Sequence, residues 1–547
     1  MYKLKNLQVE LQNLFNDFGI VESIEFAITK NKSFDFQINN LVKHNKFLKI
    51  NELSMSIKKV IEEDENIEKF EITEKNFINI KLDPNKFVDL GDNFEKYLKS
   101  KNPKKLILDY GGPNIGKPLH VGHLRSLNIG RSLYKINEVA GNSPKSDIHL
   151  GDWGMPIAQI IGYCSEKKIN IRSINIDMLE EIYPKASSMY SKNDEFQNLC
   201  QEINKKLNEG DKKLTSVWKE IKKISIESVN DILKKLDHSF DLWLGESDVN
   251  FLIPNMLNDL RKNKKISIDD GAFISNENKD PKILITKSDG SYLYLTTDLA
   301  TVKYRLKNIP FDDVLYIVDK RQALHFEQLI SSIKYFGFDD KNYSHISFGT
   351  INDENGNPFK TRDGGSKKLI DLFYETCDYL KKINDKLSNE SIKILANTVL
   401  TYSDLITNRK TDYKFDLNRF TSTTGKTGLY VQYALVRAKK LLKEANIDVK
   451  NSDIKFNSVE ECDLDLFRAF FKLEINFNQA LVNSEPHHIA DYLYELSNLF
   501  NSMYQSESIL NNNNLERKTS KLKITWIFVQ YSTSIMNMLG IKPVAKM

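Results

Sequence analysis

Apolar positions recur with two different periods along the chain, and the change of period divides it. Near the start, Leu4, Leu7, Leu11, Leu14 and Phe15 share one helical face, whereas residues 23–28, 69–72 and 77–82 alternate apolar and polar as strands do. Helices interleaved with such strands predict a small α+β domain over residues 1–102. The polar run at 99–105, Lys-Ser-Lys-Asn-Pro-Lys-Lys, reads as its linker.

Beyond the linker the pattern becomes strand, loop, helix. Residues 106–110 form a short apolar run, a Gly/Pro-rich loop covers 111–118, and Val121, Leu124, Ile129, Leu133, Ile136 and Ala140 follow near helical spacing up to Gly141. Further strand runs at 146–150, 273–274, 283–285, 313–318 and 345–348 alternate with helical patterns. That alternation predicts an α/β domain over 103–420, with a doubly wound, mostly parallel sheet and a nucleotide crevice at its strand ends. A charged helical insertion is expected near 165–285. From about 385 strand patterns almost vanish, and stretches such as 430–442 and 489–503 predict an all-helical domain over 421–547.

Composition narrows the class. With 40% apolar and 28% charged residues the chain reads as globular, and its net charge of +4 does not by itself announce a nucleic-acid partner. The start lacks a signal-peptide pattern and no long apolar run predicts a membrane span, so a cytoplasmic protein without membrane contact is expected. Cys164, Cys200, Cys377 and Cys462 stand far apart without a C-x-x-C pair, which argues against structural zinc and a disulfide framework.

The strongest chemical motif is residues 113–123, Pro-Asn-Ile-Gly-Lys-Pro-Leu-His-Val-Gly-His, placed after a strand and opening a helix. Spacing at i and i+3 lets His120 and His123 share one side of the first turn, and Gly122 between them removes a side chain. A helix N-terminus with Lys117 close by suits a polyphosphate. A plain helix start with two solvated or core histidines is the alternative.

These residues resemble the first motif of class I aminoacyl-tRNA synthetases, and the extended form, continuing into Leu-Arg-Ser, resembles that of arginyl-tRNA synthetases. Similar segments follow in order: 149–154 (His-Leu-Gly-Asp-Trp-Gly), 240–247 (Phe-Asp-Leu-Trp-Leu-Gly-Glu-Ser), 288–298, the stretch from Arg321 to Phe326, 428–434 and the tail. The resemblance implies a class I Rossmann-like catalytic domain, an N-terminal domain that touches tRNA and a helical anticodon-binding domain. It implies attachment of L-arginine to tRNA through an arginyl-adenylate, with ATP and Mg²⁺ on its phosphates. A monomer is expected. A catalytically silent, tRNA-binding regulatory relative is the alternative.

By the same resemblance, Lys117, His120 and His123 carry the catalysis and Gly122 borders the nucleotide. The second phosphate element corresponds to 359–365, where Lys360 and Arg362 supply charge; the usual second lysine is absent, and Lys117 is expected to take its place. Glu246 and Asp298 are the acids expected to meet the guanidinium, with Tyr294 packing beside it and Asn114 and Gln322 holding the α-amino and carboxylate groups. Which acid holds the guanidinium is open. Tyr430, Gln432 and Arg437 combine aromatic, amide and cationic groups and are expected to contact tRNA; an amphipathic bundle helix is the plainer reading.

Overall fold

The computed structural model describes residues 5–24, 26–29, 31, 33–44, 50–277, 282–288, 290–357, 359, 367–450, 454–456 and 458–547. Its centre is a parallel sheet built on the strand Lys105–Tyr110, whose side chains are buried on both faces after the exposed Lys105. Strands Ser143–Asp147 and Asp313–Ile317 flank it, and Asn342–His345 lies outside Asp313–Ile317. Parallel bridges from Asp147 to Leu242 and from Leu150 to Gly245 add one more segment at the other edge. Numbered by chain position, the segments run 3-2-1-4-5, the doubly wound Rossmann order. The chain reverses between Lys105–Tyr110 and Asp313–Ile317, so the crevice opens where those two strands end.

Several strand expectations shift, each for a physical reason. The second strand begins at Ser143, before the expected 146, because its first half is solvent-facing and polar and hides from an apolar count. The last one spans Asn342–His345, alternately exposed, and Phe348 only bridges to Asp319. Residues 273–274 and 283–285 lie outside the parallel sheet altogether. They belong to an antiparallel ribbon of Ile266–Asp269, Ala272–Ser275 and a bridge from Ile274 to Leu284. Asp270 and Gly271, both at positive φ, turn that hairpin, so an Asp-Gly turn signal was there to be read. Within 165–285 the long helices end at Lys235, and Leu242 to Gly245 return to the sheet edge.

The helix His123–Val139 packs its polar face inward. Arg125 Nε meets Asp404 at 2.8 Å, its Nη1 donates to the carbonyls of Gly349 and Thr411, and Asn128 also donates to Asp404. Those bonds fasten the helix to Asn389–Leu405. Ser126 accepts from the Gly111 N–H at 2.8 Å and donates to the Ile317 carbonyl at 2.8 Å, tying together the two strand ends that border the crevice.

Below the crevice, Arg305 is 1% exposed and its Nη2 bridges Asp109 and Asp147 at 2.5 and 2.7 Å. Burial alone would lower the guanidinium, but the two carboxylates outweigh it and raise it. Replacing Arg305 by Met strands two carboxylates in the interior. The expected loss is about 3–5 kcal/mol in urea unfolding at neutral pH.

The N-terminal residues form an antiparallel four-stranded sheet with helices Lys5–Asp17 and Ile50–Glu62. That unit rests on the C-terminal helices: Arg468 Nε pairs with Asp35 at 2.6 Å, and Phe87 stacks edge-on against Phe467 and Phe471. The tail helix Leu515–Met538 is buried on nearly every side, so its apolar run reflects packing. Among the described residues no helix is long and apolar enough to cross a membrane.

Candidate active site

His123 opens its helix, and His120 sits in the turn before it with the two ring centroids 4.0 Å apart. The backbone engages both rings. The Gly122 N–H donates to His120 Nδ1 at 3.1 Å, and the His120 N–H donates to His123 Nδ1 at 3.0 Å. With its Nδ1 accepting, His120 carries its proton on Nε2; His123 Nδ1 also lies 3.2 Å from the His120 carbonyl, so its ring proton can sit on either nitrogen. Burial pushes His123 down to about 3, helped by the His120 and Lys117 charges; His120 is lowered by burial, then by Lys117 and Arg321. The imidazoles are therefore uncharged at neutral pH, and the positive charge of this rim belongs to Lys117 and Arg321. Gly122 lacks a side chain for a local reason: a Cβ there would stand 2.8 Å from the His120 ring.

Lys117 points its ammonium at the Tyr183 ring, 4.2 Å from the centroid. Asn114 is exposed and bridges Gly151, where a Cβ would lie 2.0 Å from the Asn114 Oδ1. Gly151 is thus required by close approach of the loop that carries the asparagine. Flanking the second phosphate element, Val121 N–H donates to the Lys367 carbonyl at 3.0 Å and Leu369 N–H to the Leu119 carbonyl at 2.9 Å. The chain on the far side of 360–366 is thereby paired alongside the histidines. Lys360 and Arg362 themselves lie outside the described residues.

The acids form a separate wall. Glu246 is the first residue of a short helix, 9% exposed, and burial with the Asp298 and Asp152 charges pushes its carboxyl up to about 8. Asp298, on the helix Tyr294–Asn308, pairs one oxygen with His325 Nε2 at 2.6 Å. Tyr294 is 68% exposed at the mouth, and its hydroxyl is raised by burial, then by Glu246, Tyr183 and Asp298. Glu246, Asp298 and Tyr294 thus come together, and Tyr183 links them to Lys117. Gln322 is exposed at the start of the helix Ala323–Phe336, three residues before the His325 that holds Asp298.

Several supporting residues carry no individual sequence signal. Asp152 is fully buried; it accepts from the Ser247 N–H at 2.9 Å and hydroxyl at 2.7 Å and pairs with Lys222 at 2.5 Å, holding the first turn of the short helix that carries Glu246. Its acid stands inside the 149–154 motif, where a carboxylate among glycines was the available hint. Tyr183 and Lys222 lie on insertion helices whose pattern looks merely amphipathic. Asp109, Asp147 and His149 bring ligand atoms within 4.8 Å of one another, but the Arg305 guanidinium already bridges the two acids.

On the helical domain, Arg437 lies over the Tyr433 and Tyr504 rings at 4.4 and 4.8 Å and bonds Asn501, while Tyr430 packs beside Tyr494. Gln432 is not on that face. It is fully buried, donating to Thr398 and the Lys542 carbonyl and accepting from the Val544 N–H at 3.0 Å, so it secures the C-terminus and cannot meet tRNA. Helical spacing turns its side chain inward while Tyr433 and Arg437 face out.

Residues 89–417 match the family model for the class I (R) tRNA synthetase catalytic domain, and 431–547 match the DALR anticodon binding domain. An arginine–tRNA ligase of Francisella tularensis subsp. tularensis is 33% identical over 577 aligned residues, covering 98% of each chain. One from Agathobacter rectalis is 33% identical over 535, covering 89% of each. The crystal structure of arginyl-tRNA synthetase from Plasmodium falciparum superposes with a TM-score of 0.79 at 25% identity, over 99% of both chains. The Thermus thermophilus arginyl-tRNA synthetase has the same fold, at a TM-score of 0.79 and 18% identity. With both family models matched in order and relatives alike along nearly the whole length, the chain belongs to the arginyl-tRNA synthetases.

Proposed function

We propose that the chain joins arginine to tRNA in two steps: the arginine carboxylate attacks the α-phosphate of ATP, and the arginyl group then passes from the adenylate to the 2′-hydroxyl of the terminal ribose. The observation that carries this reading is the pairing in one crevice of a phosphate-type rim with an acid socket. Lys117 and the histidines form the first, Glu246, Asp298 and Tyr294 the second, and Tyr183 packs against Lys117 of the first.

The first step needs no general base, since the attacking carboxylate is ionised and pyrophosphate leaves well. What it needs is orientation and donors for the charge that builds on the phosphoryl oxygens. Neutral Nε2–H groups on His120 and His123 suit that task, because they donate without requiring protonation. Lys117 and Arg321 add charge. This rim is made of N–H donors and cations, which fits phosphate oxygens; Mg²⁺ on the phosphates would supply further neutralisation. Arginine would place its guanidinium between Glu246 and Asp298, with Asn114 and Gln322 at the margins for its α-amino and carboxylate groups. Tyr430 and Arg437, beside Tyr433 and Tyr504, offer rings and charge for tRNA bases and phosphates.

The test is ATP–pyrophosphate exchange with and without arginine and tRNA. Exchange that requires both is the expected result. tRNA retention with no exchange under any condition would mark a silent tRNA-binding relative, and exchange indifferent to arginine would mark a different adenylyl transfer.

A further inference from the structure

We propose that Tyr183 is a positioning residue for adenylate formation: its ring holds Lys117 at the mouth of the crevice with the ammonium charge left free for phosphate. The inference rests on the reading of Lys117 as a phosphate-binding cation given above.

Three observations carry it. The Lys117 ammonium sits 4.2 Å from the Tyr183 ring centroid, and among the described residues no carboxylate pairs with it. A free lysine side chain loses rotamer freedom when fixed. A cation–π contact offsets much of that cost. An ion pair would do so too, but it would cancel the charge that the phosphates need. A ring does not.

The ring is also fixed in register with both halves of the site. Tyr183 belongs to the helix Ile176–Tyr190, capped by Asn175 and anchored through buried Leu179, Ile182 and Ala186. One turn earlier, Glu180 forms an ion pair with Lys368, whose backbone bridges His120. On the other side, Tyr294 opens the helix that carries Asp298, and its hydroxyl is raised by burial first and then by Glu246, Tyr183 and Asp298. A single helix of the insertion therefore sets the lysine's position relative to the histidines and to the arginine socket. The insertion, so read, is part of the catalytic apparatus.

The experiment compares Tyr183→Phe, which keeps the ring, with Tyr183→Leu, which removes it, each alone and with Lys117→Met. Tyr183→Leu should lower kcat for pyrophosphate exchange by roughly tenfold, with arginine KM and tRNA affinity within about twofold of wild type. Tyr183→Phe should stay within about twofold throughout. With Lys117→Met present, adding Tyr183→Leu should cost nothing further. Equal damage from Phe and Leu, an undiminished second loss in the Lys117→Met background, or an unaffected Tyr183→Leu beside a crippled Lys117→Met would each overturn the proposal. If Lys117→Met itself exchanges normally, the assignment of the lysine fails first, and that result is distinguishable from the others.

Discussion

Replacing His123 by Ala should lower pyrophosphate exchange on the order of 100-fold or more while leaving tRNA affinity unchanged. Removing one preorganised donor to a developing oxyanion costs about 3 kcal/mol in a water-poor site. His123 qualifies as such a donor in the tautomer whose Nδ1 accepts from the His120 N–H at 3.0 Å, which puts the ring proton on Nε2. Two refinements separate a neutral donor from a cation. His123→Gln, which still presents an uncharged N–H, should recover part of the loss. At saturating arginine, wild-type exchange should show no titration near pH 6.5, since burial has pushed this imidazole down to about 3. An inflection there that disappears in His123→Ala would contradict the neutral-donor mechanism. Because the helix is held by Arg125, Asp404 and Asn128, the truncation should spare the fold.

The histidine pair was legible in the sequence because catalysis and local structure coincide there. A strand, a glycine loop and a helix start are all short-range patterns, and so is spacing at i and i+3. The acids of the socket became visible only through resemblance, since Glu246 and Asp298 stand 52 positions apart and nothing local distinguishes them from other acids. Strand positions were misjudged where apolar count and burial part company. Ser143–Asp147 is half solvent-facing, and the ribbon around Asp270 and Gly271 imitates buried strands while lying off the parallel sheet. Gln432 shows the same limit in a helix. Neighbouring Tyr433 and Arg437 made it look like part of a polar surface, yet it is the buried residue that holds Val544 and Lys542. Interactions made by the insertion, through Tyr183, Glu180 and Lys222, depend on tertiary approach, which composition does not encode.

Charge in the crevice divides according to task. On the proposed phosphate side, Lys117 meets a ring and no carboxylate among the described residues, Arg321 is paired with Asp319, and the histidines are neutral. On the proposed arginine side, burial first, and then the charges of Asp298 and Asp152, push the Glu246 carboxyl to keep its proton. The repulsion between Glu246 and Asp298 is a stored preference for a cation, released when a guanidinium arrives.

Arginine KM should therefore fall as pH rises through about 8, and Asp298 should matter more than any other single residue of the socket. Glu246 is held up to about 8 by burial, by Asp298 and by Asp152. Below that pH the empty site holds a neutral Glu246 beside Asp298. A guanidinium favours the ionised form of Glu246, so binding must release a proton there, at a cost of about 1.4 kcal/mol per pH unit below the pKa. Glu246→Gln should flatten this dependence. The same shift acts oppositely on the empty fold: the native state binds the Glu246 proton more tightly than the unfolded chain, so stability declines between the ordinary carboxylate value of 4.5 and about 8. Asp298→Asn removes the fixed charge and the acceptor for His325 Nε2, paired at 2.6 Å. Loss of one partner from a charge pair that the bound ligand desolvates costs about 2–5 kcal/mol, so arginine KM should rise by roughly 30- to 4,000-fold while ATP KM changes little. Steady-state exchange as a function of each substrate from pH 6 to 9 measures both variants together. A pH-independent wild-type KM, or an Asp298→Asn enzyme whose defect lies in ATP binding, would remove the acids from arginine recognition.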